Sequence, residues 1–232
     1  MPFDGQTALV TGANRGLGRH LARQLRDRGA TVYAGARDPA AVDLDGVTPI
    51  AIGLTGPASV AGAAHSIGTA AIVINNAGTS TGTALLTGHL DDARLEMDTH
   101  FFGALPVTRA FAPQLGQHDH SAVLNVLSAL SWHSFPAVGA YCAAKSAAWS
   151  MTSALRQELA GQGTRVAALH AAHMDTGMTR NLDVPKADPA GIARIALDGL
   201  AGDASEIIAD DTTKQVLARL SGGVGALYPQ FA

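Results

Sequence analysis

Tyr141 and Lys145 lie four residues apart in the stretch AYCAAKSAAWSM, whose other members are apolar residues and serines. In a helix this spacing places both side chains on one face, one turn apart. An ammonium so close favours the phenolate and lowers the pKa of the tyrosine from its usual value of about 10. Such a tyrosine can give a proton to a carbonyl oxygen or take one from an alcohol. The alternative is a tyrosine at the edge of the core beside a lysine whose stem covers apolar surface, a common pair in helices.

Three glycines lie in the stretch TGANRGLG, residues 11–18, between an apolar run and a helical pattern. A strand, a glycine-rich turn and a helix in this order are the context of a dinucleotide-binding loop, in which amides at the helix N-terminus bind phosphate. The spacing is G-x-x-x-G-x-G, which differs from the commoner G-x-G-x-x-G. A tight turn without a ligand is the alternative, because short glycine motifs also occur in plain loops.

Apolar runs rich in β-branched residues alternate with helical patterns along the whole chain. The runs are continuously apolar, as in strands that helices cover on both faces. The alternation predicts an α/β fold with one doubly wound Rossmann domain over residues 1–232, built on a mostly parallel sheet of about seven strands with helices on both faces. The predicted strands are 7–10, 31–36, 47–52, 70–75, 122–127, 165–170 and 206–209, and the predicted helices are 17–29, 57–67, 91–115, 140–160, 188–201 and 211–220.

The composition excludes several classes of protein. The 232 residues are 47% hydrophobic, enough for one sizeable core, and the net charge of −3 does not suggest nucleic-acid binding. No apolar run is long enough to span a bilayer, and the first ten residues do not read as a signal peptide. The single cysteine excludes an intrachain disulfide framework, and the nine histidines show no zinc-site pattern. We therefore expect a cytoplasmic protein without a metal, membrane or nucleic-acid partner.

The glycine loop, the tetrapeptide NNAG at 75–78 and the stretch YCAAK at 141–145 occur in this order along the chain. Together they resemble the short-chain dehydrogenase/reductase family, and the resemblance covers essentially the whole chain. It implies an oxidoreductase that uses a nicotinamide dinucleotide, with Tyr141 and Lys145 acting together and Lys145 also bonding the nicotinamide ribose. The family's serine, thirteen residues before the tyrosine, corresponds to Ser128, whose hydroxyl is expected to hold the substrate oxygen. Ser131 is then a loop hydroxyl or a substrate contact.

This chain departs from the family pattern at three places. His100 occupies the position of an asparagine in a pattern like N-x-x-G, and we assign it to the catalytic group. It could keep the backbone part of the asparagine's role, relay protons itself with an unperturbed pKa near 6.5, or simply fill space. Gly53 replaces an aspartate that contacts adenine in relatives, and Ala171 with Ala172 replaces the usual Pro-Gly after the sixth strand.

NADP(H) is the predicted cofactor because of the charges at the end of the second strand. NAD-dependent enzymes place an acidic residue there, whereas this chain has Ala36 followed by Arg37. With Arg15 in the glycine loop, two guanidiniums suit the 2′-phosphate. If Asp38 took the recognition position instead, the preference would reverse. The predicted cofactor contacts are Gly12, Asn14, Arg15, Gly16, Leu17, Gly18, Arg37, Asn76, Ala77, Gly78, Tyr141, Lys145 and Thr176.

The predicted substrate pocket follows the fifth and sixth strands and is mainly apolar. It has no arginine or lysine to anchor a carboxylate, which favours a neutral, apolar or aromatic ketone or secondary alcohol. The alternative functions are a non-catalytic dinucleotide sensor or scaffold, and a dehydratase or epimerase. A homodimer or homotetramer is expected, because the helix over 140–155 is almost apolar all round, unless that surface is buried within the chain. The predicted substrate contacts are Ser128, Leu130, Trp132, His133, Met174 and Met178.

Overall fold

The computed structural model of the chain describes residues 3–231, and seven strands form its single sheet. The strands are β1 (Thr7–Thr11), β2 (Thr31–Ala36), β3 (Thr48–Ala51), β4 (Ile72–Asn75), β5 (Ser121–Val126), β6 (Thr164–His170) and β7 (Glu206–Ile208). They pair in parallel in the order β3-β2-β1-β4-β5-β6-β7. The predicted α/β fold with a doubly wound parallel sheet is confirmed.

Helices cover both faces of this sheet. They are α1 (Gly16–Asp27), α2 (Pro57–Ile67), α3 (Leu90–His100), α4 (Ala104–Leu115), α5 (Gly139–Glu158), α6 (Pro189–Ala201), α7 (Asp211–Leu220) and α8 (Gly223–Leu227). Adjacent residues of β1 point to opposite faces, so Val10 joins Leu21 and Leu197 in one buried cluster, whereas Leu9 joins Phe111 in the other. Among the helices of residues 3–231, none is long and apolar enough to cross a membrane.

The helix predicted over 91–115 is wrong as a single element, because residues 101–103 separate α3 from α4. Pro106 explains the interruption: it has no N–H to donate, and its ring conflicts with the carbonyl four residues earlier, that of Phe102. The Phe102 amide bonds to Met97 O at 3.0 Å, one residue further back than in a regular α-helix. His100 consequently becomes the last residue of α3. The short helix α8 was not predicted, since glycines occupy positions 222, 223 and 225.

A ladder of polar side chains anchors two helices to the sheet beneath the site. Asn75 and Asn125 pair at the ends of β4 and β5, and Asn75 Nδ2 donates to Asn125 Oδ1 at 2.8 Å and to Thr108 Oγ1 at 3.0 Å. Asn125 Nδ2 donates in turn to Thr152 Oγ1 at 2.9 Å. Because all four residues are buried, these bonds fix the positions of α4 and α5 relative to the strands.

Candidate active site

The glycine loop follows β1 at the point where the strand order turns, with β2 on one side and β4 on the other. Ligands of open parallel sheets bind at such a switch point, outside the carboxyl ends of the strands. Gly12 and Gly16 have φ values of 67° and 53°, a region that residues with a side chain rarely adopt. The helix α1 then begins without a side-chain cap, so its first amides are available to an anion.

Asn76, which directly follows β4, ties the glycine loop to the next strand. Its Nδ2 donates to Thr11 O at 2.9 Å and to Gly12 O at 3.2 Å. A Cβ atom on Gly18 would lie 2.2 Å from Gly12 O and 2.4 Å from Asn76 Nδ2, so only glycine fits there. The loop therefore keeps its backbone open for a close approach of phosphate, and a dinucleotide fits this cradle.

The other predicted cofactor contacts surround this loop. Thr11 Oγ1 accepts from the Ala77 amide at 3.1 Å, and the Thr176 methyl group lies 3.5 Å from where a Cβ of Gly16 would be. Asn14 is partly buried near the start of α1. Leu17, in contrast, belongs to the buried core, so its side chain supports the loop from below.

The end of β2 carries the two cations predicted to recognise a phosphate. Ala36 is the last residue of the strand, and Arg15 and Arg37 are both exposed. Within residues 3–231 neither guanidinium has an ion pair or a hydrogen bond. Asp38 Oδ1 accepts from Ala40 N at 3.0 Å and so caps the short 3₁₀ turn that follows. One oxygen of the Asp38 carboxylate is thus engaged in capping this turn.

Tyr141 and Lys145 share one face of α5, as their spacing predicts. Lys145 Nζ lies 5.5 Å from the centroid of the Tyr141 ring and donates to Val126 O at 2.8 Å. Lys145 is only 5% exposed, whereas Tyr141 is partly exposed. The pair therefore stands at the C-terminal end of β5, and both members are shielded from solvent, the lysine more than the tyrosine.

Burial governs the acidity of both groups. It raises the pKa of Tyr141, the negative charge of Glu96 acts in the same direction, and a hydrogen bond with the Ser128 side chain opposes them. Burial also lowers the pKa of Lys145 to about 8, against a smaller opposing effect of Glu96. The expected lowering of the Tyr141 pKa is therefore wrong for the protein chain by itself. Lys145 donates to the Val126 carbonyl and is itself desolvated. Its positive charge therefore does not cancel the effect of burial on the pKa of Tyr141.

Ser128 caps a short 3₁₀ turn, Ala129–Ser131, just after β5. Its Oγ accepts from Leu130 N at 3.1 Å, and its side chain lies near enough to Tyr141 to act on the pKa of the phenol. Ser131 Oγ accepts from Ser128 N at 3.4 Å and is buried. Of the two roles expected for Ser131, this geometry matches the loop hydroxyl. The structure brings Ser128 and Tyr141 together, as the site requires.

His100 packs against the edge of the tyrosine. The two ring centroids are 5.2 Å apart at an interplanar angle of 88°, and the histidine is 5% exposed. Its Nε2 lies 2.9 Å from Thr79 O. A Cβ on Gly78 would lie 2.8 Å from His100 Cε1, so the last glycine of NNAG leaves room for the imidazole. Burial, followed by the charge of Lys145, lowers the pKa of His100, so the ring is neutral at pH 7.

The residues predicted to contact substrate divide into two groups. Leu130, His133 and Met174 are partly buried, and Met178 is 51% exposed. Trp132, by contrast, is 9% exposed and stacks on His170 with ring centroids 3.9 Å apart, so its ring faces the interior. The substrate role of these residues stays a prediction.

Sequence reasoning missed two residues at this site. Tyr228 stacks on His133 with centroids 4.7 Å apart, and its hydroxyl accepts from Ser134 N at 2.8 Å. Glu96 is fully buried next to His100. Tyr228 is an isolated aromatic residue in a glycine-rich segment, so no periodic pattern marks it. A glutamate on a helix usually lies on the solvated face, so the sequence does not single out Glu96.

This sheet, glycine cradle and Ser-Tyr-Lys group together define a dinucleotide-dependent oxidoreductase. Residues 6–186 match the sequence profile of the short chain dehydrogenase family. A crystal structure of a short chain dehydrogenase from Burkholderia cenocepacia in complex with NADP is 35% identical, with a TM-score of 0.94 over 99% of this chain and 98% of that one. The protein described here belongs to the short chain dehydrogenase family.

Two curated relatives indicate the range of similar proteins. A 3-oxoacyl-[acyl-carrier-protein] reductase from Thermotoga maritima is 27% identical over 98% of this chain and 99% of its own length. A 1-deoxy-11-beta-hydroxypentalenate dehydrogenase from Streptomyces avermitilis is 33% identical over 80% of this chain and 75% of its own. One relative is named as a reductase and the other as a dehydrogenase.

Proposed function

We propose that this protein is an NADP(H)-dependent reductase or dehydrogenase that interconverts a neutral ketone and its secondary alcohol. The observation that carries the proposal is the contact of Tyr141 with Ser128 and Lys145 at the sheet edge that also holds the glycine cradle. A nicotinamide dinucleotide bound at the glycine loop would supply the hydride for reduction of the carbonyl carbon and would accept it in the reverse direction. Tyr141 Oη gives its proton to the carbonyl oxygen, and in reverse it removes the proton of the alcohol.

The neighbours of Tyr141 assist this transfer. Ser128 Oγ donates to the substrate oxygen and so stabilises the charge that develops on it. Lys145 Nζ, held by Val126 O, lies 5.5 Å from the centroid of the Tyr141 ring, and in the proposed complex it bonds the nicotinamide ribose. The apolar side chains of Leu130 and Met174 favour a substrate without a carboxylate.

The direct test is a panel of neutral ketones and alcohols, with the absorbance of reduced nicotinamide as readout. We expect turnover with at least one aromatic or cyclic ketone and NADPH. Tight NADPH binding without turnover on any member would favour the sensor or scaffold. A change in substrate without net change in NADPH would favour a dehydratase or epimerase.

The cytoplasm stays the expected location of the protein.

Arg37→Ala should erode a preference for NADP(H) over NAD(H). A charge-assisted hydrogen bond to the 2′-phosphate is worth about 1.5–3 kcal/mol, so we expect the NADPH dissociation constant to rise at least about tenfold. The NADH constant should barely change, since NADH has no such phosphate. Both constants are measured by fluorescence titration.

Arg109→Ala is the matched control for this substitution, because Arg109 is an exposed arginine on α4. It should leave both dissociation constants unchanged. Equal or tighter binding of NADH than NADPH to the unmodified protein would refute the assignment of NADP(H). The NADP complex of the Burkholderia cenocepacia relative supports it.

Self-association is also expected, but the surface that favours it is not α5. Nine of the 20 residues of α5 are buried within the chain, and Trp149 packs partly against the core, so intramolecular burial accounts for much of this helix's apolar character. Exposed apolar side chains lie on and just after α3, among other places, where Leu95 is 45% and Phe102 is 56% exposed. We propose that this surface contributes to a homodimer or homotetramer.

Sedimentation at micromolar concentration should show a dimer or larger species. Leu95→Glu should weaken the association by at least about tenfold, because burying one leucine contributes about 1.5–3 kcal/mol. Leu217→Glu on α7, where the leucine is 39% exposed, is the control and should leave the assembly intact. A monomeric wild-type protein would contradict the proposal.

A further inference from the structure

Glu96 is a fully buried carboxylate in the middle of α3, one helical turn before His100. Its Oε1 accepts from Thr81 N at 2.6 Å and from Thr81 Oγ1 at 3.0 Å. Its Oε2 lies 3.3 Å from His100 Nε2 and has no hydrogen bond of good geometry within residues 3–231. Burial acts to raise the pKa of Glu96, but the proximity of His100 and the hydrogen bonds from Thr81 outweigh it and hold the pKa below its usual value, so the group is an anion. Burial of an anion is unfavourable in free energy, and the loop that carries Thr81 gives hydrogen bonds to only one of the two carboxylate oxygens of Glu96.

The surroundings of His100 determine which of its nitrogens carries the proton. Nε2 faces two acceptors, Thr79 O at 2.9 Å and Glu96 Oε2 at 3.3 Å, so Nε2 must be the N–H nitrogen. Because the ring is neutral, Nδ1 is then the acceptor nitrogen. The ring stands edge-on to Tyr141 at 5.2 Å, the Thr79 carbonyl holds it by a hydrogen bond, and Glu96 Oε2 lies 3.3 Å from the same nitrogen.

We propose that Glu96 is a positioning residue of the active site, which acts through His100 by holding its imidazole against Tyr141 as the Nε2–H tautomer. Its carboxylate also places a permanent negative charge next to the Tyr141–Lys145 pair. The part of this inference that concerns turnover rests on the proposed function. Glu96 is fully buried and so out of reach of a ligand, which limits its effect to the geometry and charge around the tyrosine.

The charge has a predictable consequence for pH dependence. The ionisable groups that face Tyr141 are Glu96 and His100 on α3 and Cys142 and Lys145 on α5. Glu96 raises the pKa of Tyr141 and also that of Lys145. Removing its charge therefore lowers the pKa of both, so the phenolate forms at lower pH. The acidic limb of alcohol oxidation should move to lower pH by about one unit.

Glu96→Gln tests this role with little change in shape. The Gln carbonyl can still accept from Thr81, but its amide cannot accept from His100 Nε2–H. We expect kcat to fall about tenfold because Thr79 O alone then holds the ring, and the NADPH dissociation constant to stay within twofold. Asp98→Asn is the matched control: Asp98 is exposed on the same helix and loses the same charge. It should change neither kcat nor the pH profile. A Glu96→Gln pH profile that coincides with that of Asp98→Asn would overturn the proposal.

The tautomer of His100 can be measured in the wild-type protein without any substrate. In a spectrum of protein with ¹⁵N-labelled histidine, the signal absent from His100→Asn identifies His100, and we expect a neutral Nε2–H imidazole at pH 7. An Nδ1–H tautomer or an imidazolium would overturn the proposal even if Glu96→Gln failed to fold. If the wild-type protein reduces no ketone, the proposed function fails, while this spectrum still decides the role of Glu96.

Discussion

Tyr141→Phe is expected to lower kcat by about 10²- to 10⁴-fold, the usual contribution of a general acid/base group. The substitution removes only the hydroxyl, while the ring keeps its contacts with His100 and Lys145. The NADPH dissociation constant should therefore change little. Initial rates with a substrate accepted by the wild-type protein give kcat, and fluorescence titration gives the affinity.

Tyr33→Phe is the control for this experiment. Tyr33 lies on β2 and packs partly against the core, so losing its hydroxyl should leave kcat unchanged. A Tyr141→Phe protein that keeps more than about a tenth of wild-type turnover would remove Tyr141 from the chemistry. Absence of turnover in both the wild type and the variant would point to the sensor or scaffold function.

Gly18→Ala should damage both the stability of the protein and its cofactor binding. The added Cβ would lie 2.2 Å from Gly12 O, a backbone atom that cannot give way without moving the loop. Overpacking of this kind costs about 1–3 kcal/mol, which corresponds to a loss of roughly 2–12 °C in Tm for a chain of this size. The NADPH dissociation constant should rise at least about tenfold, because the displaced loop is the predicted phosphate cradle.

Gly62→Ala adds the same methyl group where the structure has room for it. Gly62 lies within α2, and no atom stands within 4 Å of the added Cβ. Alanine favours a helix over glycine by about 0.5–1 kcal/mol, so this control should raise Tm slightly and leave NADPH binding unchanged. A Gly18→Ala protein with wild-type Tm and affinity would show that the cradle is not built as described.

The fold could be predicted because its signals are local and repeated. Each apolar run is long enough to indicate a strand. The turn before α1 needs glycines with positive φ, and these glycines form a recognisable motif in the sequence. The family of the protein was likewise predictable, since Tyr141 and Lys145 keep a helical spacing and follow the glycine loop and NNAG in order. The resemblance to the short-chain dehydrogenase/reductase family is confirmed by the match over residues 6–186.

The parts that escaped prediction depend on contacts between distant segments. The stacking of Trp132 on His170 was not predicted, because only the folded sheet brings His170 next to it. Glu96 looked like a solvated helix residue until the loop around Thr81 covered it. The break before α4 was predictable in principle, because Pro106 lies inside the helical pattern, yet the apolar pattern on either side outweighed that signal.

The bonds from Asn76 to Thr11 and Gly12 join positions 64 and 65 residues apart, and this separation constrains the order of folding. Contacts so distant in sequence form late, because the intervening chain must first lose the entropy of a closed loop. The phosphate cradle therefore exists only after β1 and β4 have paired, even though its glycines all come from the first 18 residues of the chain. During refolding we expect the circular dichroism signal of the helices to recover first. The fluorescence of bound NADPH should recover later, because NADPH binding requires the two halves of the sheet to have paired.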